Sequence, residues 1–187
     1  VKMFELKMSQ GAKPGKGGML PGRKVNAEIA KIRGIPEGQD SISPNGHPEI
    51  KNPNDILDML TTIRTATGKP TGFKAVIGEH TWLESLFAEI NHRGIESAPD
   101  FITIDSADGG TGAAPQPLMD SVGLPLRESL PLVVNMLEKH GLRDRVKIIA
   151  SGKAVQILRI SCDRLSCLLL TQGMKKTVCN LHARSFE

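Results

Sequence analysis

The run Phe101-Ile102-Thr103-Ile104 passes straight into Asp105-Ser106-Ala107-Asp108-Gly109-Gly110-Thr111-Gly112-Ala113-Ala114-Pro115. β-Branched and aromatic residues favour a pleated strand, and the glycines then turn the chain where side chains would not fit. A strand ending this way can aim successive backbone N–H groups at an anion or admit a flat ring, with Ser106 and Thr111 as hydroxyl donors. A surface turn has the same composition, so this stretch alone leaves both readings open.

Related junctions recur along the chain. Met3 to Ser9 alternates apolar and polar residues, the period of a strand with one buried face. It runs into residues 10–22, where five glycines, two prolines and two lysines in thirteen residues rule out a helix or a central strand. That basic loop suits a carboxylate or phosphate, or else is a solvated linker. The spacing predicts a helix over 26–33 with Asn26 as its cap, Ile29 and Ile32 on one face and Gly34 as its stop. A second helix begins near Asn52, takes Pro53 in its first turn and buries Ile56, Leu57, Leu60 and Ile63.

Residues 71–78 read as a buried strand with Lys74 inside it; such a lysine either snorkels outward or finds an anion. A helix over Trp82–Ile90, capped by Gly94, precedes the opening motif, and another around Leu130–Leu137 places Pro131 in its first turn. Val146–Ala150 is a further strand, opening into Ser151-Gly152-Lys153. His47, in the loop after a short strand end at 40–44, is a proton carrier or an idle exposed residue.

Composition narrows the function classes. The 187 residues are 39% apolar, enough for a core in one domain. A net charge of +4 is spread over interspersed acidic and basic residues, and with no Tyr and few other aromatics a nucleic-acid partner is not expected. No apolar run reaches membrane-spanning length, no signal-peptide pattern opens the chain and the three cysteines sit in its last quarter, so the expected setting is cytoplasmic, without membrane. The absence of an initial Met reads as the mark of a fragment.

Alternating strands and helices with long connections imply an α/β fold with a parallel sheet. Polar, glycine-rich loops after nearly every strand favour a (β/α)8 barrel of the TIM type with its site on the carboxyl-terminal face. About five strands are countable, so the expectation is a partial barrel.

The residues quoted above also carry a family resemblance. Ser9-Gln10-Gly11-Ala12-Lys13-Pro14-Gly15, Gly17-Gly18, Leu20-Pro21-Gly22, Ile42-Ser43-Pro44, Asp108 to Ala113 and Gly123-Leu124-Pro125 resemble, in order, the FMN-binding synthase domain of glutamate synthase. The wording Ser41 to His47 and Glu49 to Asn54 is similar to its stand-alone members. The resemblance covers residues 1 to about 154.

It implies an oxidoreductase acting on CH–NH2 donors, on which FMN serves the reductive formation of L-glutamate from 2-oxoglutarate and ammonia through 2-iminoglutarate. Gln10, Lys13 and Arg33 would meet the dicarboxylate, with Lys13 and Lys74 as the catalytic cations and Lys74 beside the flavin. Ser106, Asp108, Gly109, Gly110, Thr111, Gly112, Ser151 and Gly152 would line the cofactor. Ammonia would arrive free or from a separate glutaminase chain, and electrons from a donor chain.

Two departures qualify this expectation. Met19 replaces the glutamine of the large enzymes' Gly-Gly-Gln-Leu-Pro-Gly loop. The family's iron–sulfur centre needs a compact cysteine cluster, whereas Cys162, Cys167 and Cys179 are separated by four and eleven residues, and no metal site is expected here. The domain is therefore read as 1–155, followed by a divergent tail, 156–187. That tail is either out of frame or a variant helix capping the barrel with Leu165, Leu168 and Leu169 on one side. The function classes left open are a fragment of a flavin-dependent oxidoreductase and a catalytically silent fragment or ligand-binding module.

Overall fold

Asn52 opens helix formation in the first well-packed segment by accepting hydrogen bonds from the Asn54 and Asp55 amides, while Asp55 accepts from the Asn52 amide at 3.1 Å. This reciprocal cap, with proline at the first position, starts a helix at Pro53. The structure, a computed structural model, describes residues 1–9, 18–107, 117–118 and 122–152, and the backbone of Cys167–Leu170 and Thr177–Cys179. Its helices in chain order are α1 (Ala27–Arg33), α2 (Pro53–Thr67), α3 (Thr81–Arg93) and α4 (Leu126–Lys139).

The last three are amphipathic and bury one face each. α2 contributes Ile56, Leu57 and Leu60, α3 Leu83, Leu86, Phe87 and Ile90, and α4 Leu130, Val133, Val134 and Leu137. Ile63 is only half-buried, since it lies on the edge of the α2 stripe. α4 starts at Leu126, earlier than its apolar spacing indicates, so Pro131 lies beyond the first turn, inside the helix. α1 has the expected ends, Asn26 accepting from the Ile29 amide and Gly34 at φ 65°. It nonetheless buries no residue, and Ile32 is 75% exposed, because nothing among the described residues covers that face.

The strands are β1 (Phe4–Lys7), β2 (Met19–Leu20), β3 (Ser41–Ile42), β4 (Thr71–Ala75), β5 (Phe101–Asp105), β6 (Lys147–Ser151), β7 (Cys167–Leu170) and β8 (Thr177–Cys179). β2 and β3 form a small antiparallel ladder, so the glycine-rich loop contains a short strand, outside the main sheet. The main sheet runs β1-β4-β5-β6-β7-β8, parallel as far as β7. β8 pairs antiparallel with β7 and sets Cys167 opposite Cys179 in the register. Leu168 and Leu169 therefore belong to a strand beside β6 and not to a capping helix. The chain is α/β with a parallel sheet, and its main-sheet strands follow one another in chain order without reversal.

Side-chain alternation gives the sheet two different faces. Phe73 and Ala75, Ile102 and Ile104, and Ile148 and Ala150 join the three amphipathic helices in one apolar cluster. Full burial of a Leu, Ile or Phe side chain is worth about 1.5–3 kcal/mol, so this face supplies most of the driving force. The intervening positions, Glu5, Lys74, Thr103, Asp105, Ile149 and Ser151, share the second face and are mostly polar.

The amino-terminal end of the sheet is tied by one carboxylate. Asp100 accepts from the Thr71 amide at 2.8 Å, Arg64 Nε at 3.1 Å and the Arg145 guanidinium at 3.0 Å. Arg64 also donates to the Ala98 carbonyl at 2.6 Å, which fixes α2 to the start of β5. Burial opposes the charged form of Asp100, but the Thr71 amide and the two guanidinium groups outweigh it and hold its pKa below the usual carboxylate value.

Candidate functional site

Because β1, β4, β5 and β6 are parallel, their carboxyl ends lie at one edge of the sheet, and the polar glycine-rich segments all depart from there. The segment after β1 is anchored first: the Met8 amide donates to the Lys74 carbonyl at 2.8 Å, and Ser9 Oγ accepts from the Val76 amide at 2.8 Å. Ser9 thus fastens the entrance of the 10–22 loop to the end of β4.

The ends of β5 and β6 meet closely. The Ser106 amide donates to the Ser151 carbonyl at 2.8 Å, extending the ladder in which Asp105 faces Ser151. The buried Ser106 Oγ accepts from the Leu126 amide at 3.0 Å and thereby holds the first turn of α4 against β5. Gly152 follows at a position where a Cβ would stand 2.5 Å from Ser106 Cβ and 3.2 Å from its hydroxyl oxygen. Only glycine allows that approach. The segment before α4 closes the arrangement, with the Leu124 amide donating to the Ile77 carbonyl at 2.6 Å and the Ala107 amide to the Leu124 carbonyl at 3.2 Å. At Gly78 a Cβ would lie 2.6 Å from the Val122 carbonyl oxygen, so this second glycine also serves close backbone contact.

Lys74 stands on the second face of the sheet, directly beside Lys7 on one strand and Thr103 on the other. Its ammonium is 3.6 Å from Glu5 Oε1, and the two side chains are 24% and 30% exposed. Glu5 Oε2 in turn accepts from Thr103 Oγ1 at 2.6 Å. The lysine within the strand has therefore found an anion, and that anion comes from β1. Glu5 was legible only as one polar position in an alternating strand; nothing in its local sequence marks it as the partner of a residue 69 positions away.

Of the residues named from sequence, the structure puts Lys74 and Ser151 on this second face and Ser106 and Gly152 at the carboxyl edge on the side of α4. Arg33 is exposed at the end of α1, and among the described residues no hydrogen bond or ion pair joins it to them. Gln10, Lys13, Asp108, Gly109, Gly110, Thr111 and Gly112 lie outside the described residues. His47 is partly buried in its loop, with Nδ1 3.4 Å from Glu49 Oε2. Among the described residues there is no group of three or more His, Cys, Asp or Glu able to hold a metal, and no helix is long and apolar enough to cross a membrane.

A parallel sheet with a lysine–carboxylate pair on one face and a buried serine and close-approach glycines at its carboxyl edge can receive an anionic, planar ligand. Comparison with known proteins gives that edge a family. A model described as a conserved region in glutamate synthase matches residues 1–173, past residue 155 and through β7. The chain is 45% identical over 153 residues to the glutamate synthase large subunit-like protein YerD of Bacillus subtilis, covering 82% of this chain and 29% of that protein. It is 37% identical over 178 residues to the archaeal glutamate synthase [NADPH] of Methanocaldococcus jannaschii, covering 89% and 31%. With the glutamate synthase [NADPH] large chain of Bacillus subtilis it shares 34% over 150 residues, 80% of this chain and 10% of that one. The chain thus spans less than a third of these curated relatives, and within that span it belongs to the glutamate synthase family.

Proposed function

We propose that this chain is part of a flavin-dependent, glutamate synthase-type oxidoreductase, contributing the strand ends that hold FMN and the dicarboxylate substrate. The reading is supported by the carboxyl edge itself, where parallel strands in chain order end, with Lys74 near the end of β4 and Ser106, Ser151 and Gly152 at the ends of β5 and β6. Winding without reversal is how a (β/α)8 barrel begins, and in barrels the site lies on this edge. The complete domain would close with strands beyond those described.

The residues present suit FMN. The close contacts at Gly152 and Gly78 leave bare backbone at the strand ends, and Lys74 offers a cation on the face such a ring would cover. When bound, FMN supplies the reducing equivalents that turn 2-iminoglutarate, formed from 2-oxoglutarate and ammonia, into L-glutamate. The chain's own part is to orient and to balance charge. Lys74 favours negative charge on the ring, Ser106 and Ser151-Gly152 set the backbone against it, and Asp108, Gly109, Gly110, Thr111 and Gly112 take the remaining cofactor-binding role. Gln10, Lys13 and Arg33 take the substrate's two carboxylates, with Arg33 suited to bidentate pairing. Ammonia comes free or from a glutaminase chain, and the relatives named for NADPH point to a nicotinamide as the ultimate electron source.

An iron–sulfur centre does not fit these residues. Cys167 and Cys179 occupy opposed register positions on neighbouring strands, Cys162 lies outside the described residues, and the spacing lacks the compact run a cluster needs. A second reading is a catalytically silent fragment or ligand-binding module that keeps the substrate loops without a functional flavin site.

An FMN titration followed by flavin absorbance separates the two. The first reading expects saturable uptake, and it expects Lys13→Ala and Arg33→Ala to weaken 2-oxoglutarate binding by at least tenfold while changing FMN affinity less than threefold. Loss of a charge partner from a desolvated pair typically costs about 2–5 kcal/mol, which makes the substrate effect measurable. Equal losses for both ligands would remove Lys13 and Arg33 from the substrate site, and no FMN uptake would leave the silent fragment.

A further inference from the structure

Glu5 belongs to none of the motifs at the strand ends, yet it joins three strands of the second face. Its two carboxylate oxygens are divided between Lys74 Nζ on β4, at 3.6 Å, and Thr103 Oγ1 on β5, at 2.6 Å. Thr103 is two strands away from Glu5. Gly72, beside Glu5 in the register, carries no side chain, and the Phe101 carbonyl and ring pack where a Cβ would stand.

An ion pair between two solvated, flexible side chains contributes little and fixes no geometry. This one differs, since Thr103 is 2% exposed and its short hydroxyl contact holds the carboxylate in place. We propose that Glu5 is a positioning residue: pinned by Thr103, it fixes where the Lys74 ammonium stands and offsets the positive charge that this face presents. The proposal rests on the reading of Lys74 as the cation beside the flavin. Two-electron-reduced FMN carries more negative charge on its ring than oxidised FMN when it is anionic. An unopposed Lys74 would favour the reduced form, and Glu5 moderates that preference.

The test is the ratio of dissociation constants for oxidised and reduced FMN, measured anaerobically by titration of the full 187-residue chain, with thermal unfolding in parallel. Glu5→Gln keeps the shape and the acceptor oxygen but removes the charge, and should favour reduced over oxidised FMN by about tenfold relative to wild type. Lys74→Gln should move the ratio by a similar factor in the opposite direction. Thr103→Val removes a donor and no charge, and should shift it less than threefold. A Lys74→Gln shift with Glu5→Gln within twofold of wild type would overturn the role of Glu5 and leave Lys74 beside the flavin. No shift in Lys74→Gln, or no FMN uptake by wild type, would overturn the reading of Lys74 and take Glu5 with it. A Thr103→Val shift as large as that of Glu5→Gln would show a packing effect and overturn the proposed charge balance.

Discussion

The two ends of the sheet use charge differently. At the amino end Asp100 is saturated: two guanidinium groups and a backbone amide converge on one carboxylate, and Arg64 spends its remaining donors on the Ala98 and Glu96 carbonyls. Toward the carboxyl end of β4, Lys74 is paired at a longer 3.6 Å with Glu5 from the start of β1, and both keep about a quarter of their surfaces in solvent. Dense hydrogen bonding suits an element that only has to hold, whereas a partly exposed cation with one anionic partner can still respond to a ligand. On the proposed reading, stability rests on the amino end and ligand contact on the carboxyl end of the same strands.

If that division is right, Asp100→Ala should show the largest loss of stability. It leaves Arg64, Arg145 and the Thr71 amide without their acceptor; breaking a fully buried pair costs about 3–5 kcal/mol, and the partial exposure here reduces the expectation to about 2–3 kcal/mol. Urea unfolding checks this, while the preference between oxidised and reduced FMN should stay within twofold of wild type. An Asp100→Ala variant that changes the flavin ratio and spares stability would break the comparison.

Gly152→Ala should do the reverse. Its Cβ would press on Ser106, an overpacking cost of about 1–2 kcal/mol, and should lower FMN affinity at least tenfold in the same titration. Full affinity in this variant would return the β6 end to a simple turn.

Acid sharpens the contrast further. A carboxylate whose folded pKa is depressed contributes stability that is present above its unfolded pKa and lost as pH falls through the folded value. Asp100 should therefore supply part of the acid limb of the stability curve, and Asp100→Asn should flatten that limb below about pH 4. An unchanged slope would mean that the amino-end network carries no such linkage. The smallest effect is expected at Ile32→Ser, within about 0.5 kcal/mol of wild type, because this side chain is 75% exposed and α1 buries nothing.

Sequence reading worked best where local chemistry decides structure. Asn26, Asn52 and Gly34 mark helix ends by capping and left-handed geometry, and each stands at the end it predicts. The apolar spacing of α2 and α3 and the parallel order of β4, β5 and β6 were equally legible. It failed where a neighbour decides. Ile32 has the spacing of a buried residue, but burial needs an opposing surface. Leu168 and Leu169 are apolar enough for either a helix or a strand, and the free edge of β6 makes them β7. At the candidate site, Lys74 announced itself as a charge within an apolar strand, whereas its partner came from the far end of a long crossover and left no trace in local sequence. Ser9 was visible as part of a motif, but its hold on the Val76 amide was not.

The succession of main-sheet strands in chain order bears on how the molecule is made. Each of β5, β6 and β7 pairs with the strand synthesised just before it, so a nascent chain leaving the ribosome can add one strand–helix unit at a time to an edge already formed. The expensive closure comes early, when β4 must find β1 across the whole 8–70 interval; Phe4 then pairs with Thr71 and Lys7 with Lys74. The lysine–glutamate pair spans that first long-range contact. Its formation would coincide with commitment of the sheet to its register, making β1 capture the step at which folding is slowest and misregistration most costly.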